Sequence, residues 1–127
     1  MKTGGIMKHY FWRRAYAMKE IDTIYEMQKK YGYIKSINLF REISGEECGK
    51  YNLELSLVNF PCWDIEEHLN IIFEGVSNLT LGNIDNLLKV FIKIDSIAEW
   101  QHEDTRYAVK ECENDLFAFR CKHLKIV

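Results

Sequence analysis

Proline is nearly absent from this 127-residue sequence, Pro61 being the one instance, and no apolar run approaches the roughly 20 residues of a membrane-spanning helix. The first scarcity, beside seven Tyr, seven Phe and three Trp, fits packed strands and argues against disorder. Met1-Lys2-Thr3-Gly4-Gly5-Ile6 lacks the apolar core of an export signal, so a cytoplasmic location and reduced thiols at Cys48, Cys62, Cys112 and Cys121 are expected. Asn78-Leu79-Thr80 is a sequon that matters only in a secretory compartment. An excess of charge of one sign is missing as well, with 17 Lys and Arg against 19 Asp and Glu. A formal net charge of -2 supplies no strong field for nucleic acid or an anionic membrane. Glycine-rich phosphate loops are lacking, since Thr3-Gly4-Gly5 lies at a terminus and Leu81-Gly82-Asn83 joins two strands.

What is present is 47% hydrophobic residues, enough for one contiguous core, and residues 1–127 read as a single domain. Ala15 to Tyr31 reads as an N-terminal helix. Ala17, Met18, Ile21, Ile24, Tyr25 and Gln28 form its apolar stripe, Lys19, Glu20, Thr23, Glu26 and Lys30 lie elsewhere, and Gly32 is expected as a left-handed C-terminal residue. From Tyr33 onward the period becomes two. Ile37, Leu39 and Ile43 share one strand face, and Tyr51, Leu53, Leu55 and Leu57 share another, across a hairpin at 44–50. Leu69, Ile71 and Phe73 alternate up to Gly75, which marks either a bulge or a turn. Leu87 to Asp95 reads as a strand covered at least partly on both sides, because Leu87 and Phe91 add apolar positions opposite Leu88, Val90, Ile92 and Ile94. A three-residue loop Glu113-Asn114-Asp115 sets the last hairpin, with Tyr107, Val109, Phe117, Phe119 and Cys121 inward and Ala108, Lys110, Ala118, Arg120 and Lys122 outward. The expected class is α+β, mostly β: an antiparallel sheet or two-layer sandwich of six to seven strands with one helix over 15–31.

No catalytic, metal or cofactor constellation emerges. Cys112, Cys121 and His123 look metal-like by composition, yet this register turns Cys112 away from Cys121, and no C-x-x-C pair or second histidine completes a tetrahedral site. His9, His68, His102 and His123 lie beside charged or loop residues and read as surface histidines. Lys8-His9-Tyr10-Phe11-Trp12-Arg13-Arg14 could stack bases, but aromatics beside a first helix more often pack it onto a sheet, and nucleic acid is not an expected partner.

Two connections each carry a tryptophan among acids: Pro61-Cys62-Trp63-Asp64-Ile65-Glu66-Glu67-His68 and Ile97-Ala98-Glu99-Trp100-Gln101-His102-Glu103-Asp104. Functional residues concentrate on loops, Trp is enriched at protein interfaces, and carboxylates steer basic partners. Trp63, Asp64, Glu66, Glu67, Trp100, Glu103 and Asp104 are therefore the candidate partner-binding residues. The competing reading makes each Trp an end plug with solvated acids around it. If Gly75 is a bulge, an up-and-down strand order puts both connections at one end; if a turn, at opposite ends.

Leu69-Asn70-Ile71-Ile72-Phe73-Glu74-Gly75-Val76-Ser77-Asn78-Leu79, together with Asp115-Leu116-Phe117-Ala118-Phe119-Arg120-Cys121-Lys122, resembles small uncharacterised bacterial proteins, some of them immunity-like and encoded beside polymorphic toxins. The resemblance covers roughly the last sixty residues and rests on strand patterning. It implies a non-enzymatic cytoplasmic binder that neutralises a toxin by covering it. Two alternatives come from the residues: a ligand-binding or enzymatic β domain with a pocket between sheet and helix, using Tyr16, Tyr25, Arg41 and His68, and a structural subunit that oligomerises through strand edges. No cofactor is expected under the first reading.

Overall fold

A computed structural model describes residues 19–44, 47–59, 67–97 and 105–127, with the backbone alone at 42, 44, 47 and 48. Its helix, α1, is described over 19–27. Seven strands follow: β1 (Tyr33–Ser44), β2 (Glu47–Val58), β3 (His68–Leu81), β4 (Ile92–Ser96), β5 (Tyr107–Glu111), β6 (Phe117–Cys121) and β7 (His123–Ile126). All pair antiparallel in one open sheet of order β1-β2-β3-β6-β5-β4, with β7 beside β3. The architecture is α+β and mostly β, as the alternation predicts.

β3 is the hinge of this sheet. Its first half lies between β2 and β7, and its second half pairs with β6. Because Ser77 faces Arg120 while Glu74 faces His123, β6 and β7 lie end to end along one flank of β3. Gly75 makes the bulge: Leu53 faces Phe73 but Tyr51 faces Val76, so β3 carries one extra residue there. At φ +67 this glycine occupies left-handed space, and its N–H donates to Asn52 Oδ1 at 3.1 Å. The buried parity accordingly moves from Leu69, Ile71 and Phe73 to Val76.

Leu53, Leu55 and Leu57, Leu69, Ile71 and Phe73, Ile92 and Ile94, Val109, Phe117, Phe119 and Cys121 join Ile24 of α1 in one buried cluster. Each such side chain contributes about 1.5–3 kcal/mol of burial. Phe73 and Phe119 meet edge to face with centroids 4.9 Å apart. Tyr107–Cys121 and Val109–Phe119 are the cross-strand pairs that a three-residue loop demands.

The polar ends of the helix stripe close the sheet edge. Gln28 Oε1 accepts from the Ile92 N–H at 2.8 Å and Gln28 Nε2 donates to the Ile92 carbonyl at 3.1 Å. The Tyr25 hydroxyl accepts from the Ile94 N–H at 2.9 Å and donates to the Ile94 carbonyl at 3.0 Å. Two side chains three apart, one on the last turn of α1 and one in the turn that follows it, thus serve two residues two apart on a strand, satisfying backbone groups that an edge would leave open.

Three expectations need correction. Gly32 is not left-handed: helical residues end at 27, a turn over 28–30 follows, and Gly32 donates no special conformation. Its lack of a side chain answers a close approach instead, because a Cβ there would stand 3.1 Å from Lys89 Cγ while the Gly32 carbonyl accepts from Val90 N–H at 2.7 Å. The stretch from Leu87 is not a doubly covered strand. Pairing as β4 starts at Ile92, and Leu87 and Phe91 are 53% and 49% exposed. Glu20, placed off the stripe by the periodicity, is buried one turn before Ile24.

Candidate partner-binding surface

Trp63, Asp64, Glu66, Trp100, Glu103 and Asp104 lie outside the described residues. Glu67 is described: it is exposed and pairs with Lys30 at 3.1 Å. That hydrogen bond raises the Lys30 ammonium above its ordinary value, with Tyr31 adding to the effect.

The strands fix where the two connections depart. The first leaves β2 and enters β3 at the Val58–His68 pair, and the second leaves β4 and enters β5 at the Ser96–Tyr107 pair. Ile97 N–H donates to the Arg106 carbonyl at 2.9 Å, and Arg106 N–H to the Cys121 carbonyl at 2.9 Å, which anchors the base of the second connection against the end of β6. Since β6 runs antiparallel to β3, both connections point toward the N-terminal end of β3. Cys121 lies level with Val76, so the two bases are staggered from Val76 to His68, about 26 Å at the usual strand rise.

The residues expected to line a pocket do not converge. Tyr25 spends its hydroxyl on Ile94. Arg41 lies 4.1 Å over the Tyr51 ring, and His68 is exposed at the opposite end of the β1–β2–β3 ladder. Tyr16 is outside the described residues.

The connection between β3 and β4 was missed as a surface feature by the sequence reading. Leu81, Ile84, Leu87, Leu88 and Phe91 are all exposed by 38% or more, and residues 84–88 border an open groove of about 350 Å³ against Ile34–Ile37 of β1. The available signal is Leu87 and Phe91, apolar at the parity opposite to Val90 and Ile92, which periodicity alone reads as burial on two sides. A run with apolar residues on both parities fits equally well a segment whose second face awaits cover.

Glu111 went unremarked too, although its odd position puts it on the buried face with Val109. It is 1% exposed. Its carboxylate accepts from the N–H groups of Phe91 (2.9 Å), Asn114 (2.6 Å), Glu113 (3.0 Å) and Leu116 (3.4 Å). Burial alone would push this carboxyl up, but the four donors outweigh it and hold it below the ordinary value. It is a staple between the β3–β4 connection and the last hairpin, with no reacting partner beside it among the described residues. Burial pushes the Cys121 thiol up to about 12, while Cys112 is exposed on the other face.

What the described residues offer is exposed surface: the apolar side chains of the β3–β4 connection and the outward-facing row residues of β4, β5 and β6. The model of the family described as immunity protein PIM8 matches residues 16–127. The chain belongs to this family. The match spans the described helix as well as every strand, so the likeness read in the C-terminal half extends over almost the whole chain. No curated protein and no solved structure shows a significant match to it.

Proposed function

We propose that this chain neutralises a toxin protein by stoichiometric binding and performs no chemistry of its own. The family match over 16–127 carries the reading, since immunity proteins act on a partner. The exposed apolar side chains of the β3–β4 connection support it, as does the common direction in which the strands before the two acid-bearing connections end.

The test is to mix purified chain with the toxin domain encoded beside it and follow toxin activity against molar ratio. Inhibition that reaches completion at one chain per toxin, with a complex of the same ratio on light scattering, is the expected result. Inhibition at far below one chain per toxin would instead mark an enzyme acting on the toxin, and absence of both inhibition and complex would end the proposal.

A further inference from the structure

The outer face of the β3–β6–β5–β4 half of the sheet is a flat cationic surface. Lys93 directly faces Lys110, which faces Ala118. In the next row Asp95 faces Ala108, which faces Arg120. Lys93 and Lys110 are exposed and Arg120 is half-buried. Like charges directly opposite on a sheet destabilise it. The single carboxylate in these rows, Asp95, reaches Lys93 at 4.0 Å with both side chains about half exposed, a weak and screened contact. Lys110 and Arg120 have no ion pair among the described residues. The sequence meanwhile carries Asp64, Glu66, Glu67, Glu99, Glu103 and Asp104 in two stretches outside the strands that hold Lys93, Lys110 and Arg120, so a net charge of -2 conceals cations grouped by strand register.

We infer that the Lys93–Lys110–Arg120 face docks a carboxylate-rich surface of the toxin. This inference rests on the toxin-binding reading above and names the partner chemistry of one contact. Lys110 and Arg120, with Lys93 only weakly paired, complement an acidic surface, and Ala118 beside Lys110 and Ala108 beside Arg120 let a partner backbone approach the sheet closely. They also supply no ring on which a base could stack, which separates this face from the stacking platforms of single-stranded nucleic-acid binders. A cationic face steers an acidic partner surface before contact and penalises a basic one.

The experiment titrates the full chain, wild type and Lys93→Glu/Lys110→Glu/Arg120→Glu, against the toxin domain at low and physiological salt. The triple reversal is expected to weaken binding about 100-fold and to flatten the salt dependence seen with wild type. Lys110→Glu alone should bind more weakly yet melt no lower than wild type, since it replaces a cross-strand repulsion with an attraction. That combination separates lost recognition from lost folding. Wild-type affinity in the triple reversal would overturn the assignment of the face and leave toxin binding standing, whereas a wild-type chain that binds no toxin removes the reading and this inference together. A single-stranded RNA of about 20 nucleotides, titrated in parallel, should bind more weakly than the toxin; tighter RNA binding that the reversal abolishes would assign the face to nucleic acid and overturn the proposal.

Discussion

A carboxylate 1% exposed that remains charged needs donors, and Glu111 has four backbone N–H groups from two separate segments. Replacing it with glutamine exchanges charge-assisted acceptors for a neutral amide whose NH₂ must face N–H groups, so Glu111→Gln is expected to cost about 2 kcal/mol near neutral pH. The pH dependence follows from the lowered folded value. The unfolded carboxyl takes its proton near its ordinary 4.5 and the folded one only at lower pH. Glu111 therefore contributes its full stability above that pH and loses it as pH falls through the folded value. Denaturant unfolding of wild type and Glu111→Gln across acid pH should show their difference shrinking below 4.5; a difference that holds constant or widens would remove this account of the residue.

Gly75 decides the path of β3. A side chain there meets two obstacles: a left-handed backbone at φ +67, and the stem of Lys122, whose Cγ would lie 2.9 Å from an added Cβ. Gly75→Ala is expected to lose about 1–2 kcal/mol, and placing it on a Lys122→Ala background should recover the steric share while leaving the conformational one. Thermal melts of the four variants check this, and a neutral Gly75→Ala would mean the bulge is not held as described. The element scale is also where the sequence was most and least informative. The last hairpin was legible because a three-residue loop fixes which parity faces inward, and the Tyr107–Cys121 and Val109–Phe119 pairs follow from it. Gly75 stayed ambiguous because alternation on either side suits a bulge and a turn alike. The insertion of β6 between β3 and β5 was beyond reach, since no local pattern encodes which distant strand Ser77 to Leu81 will meet. Leu87 and Phe91 misled for a related reason: periodicity reports apolar positions but not whether the chain itself covers them. Of the acidic candidates only Glu67 is described, exposed just before β3, while the cationic rows became visible only once register placed Lys93 opposite Lys110.

At the scale of the whole molecule, the consequence of a bulge at Gly75 is that the strands flanking both acid-bearing connections end in the same direction along the sheet. Had Gly75 been a turn, the connections would face opposite ends and no single surface could touch the two. With their bases staggered by about 26 Å along the strands and set two strand spacings, about 10 Å, apart across them, both bases lie within one interface of ordinary size, because about 800 Å² per partner corresponds to a disc roughly 30 Å across. Sites that far apart share no neighbours, so their contributions should add. Trp63→Ala and Trp100→Ala are each expected to weaken toxin binding by about tenfold, and together by about a hundredfold. Hydrogen exchange on the same complex should show protection at the bases of both connections, residues 59 and 67 on one and 97 and 105 on the other. A double variant that binds like wild type, or protection confined to one connection, would show that the toxin sits elsewhere and that the tryptophans serve as plugs for the ends of the sheet.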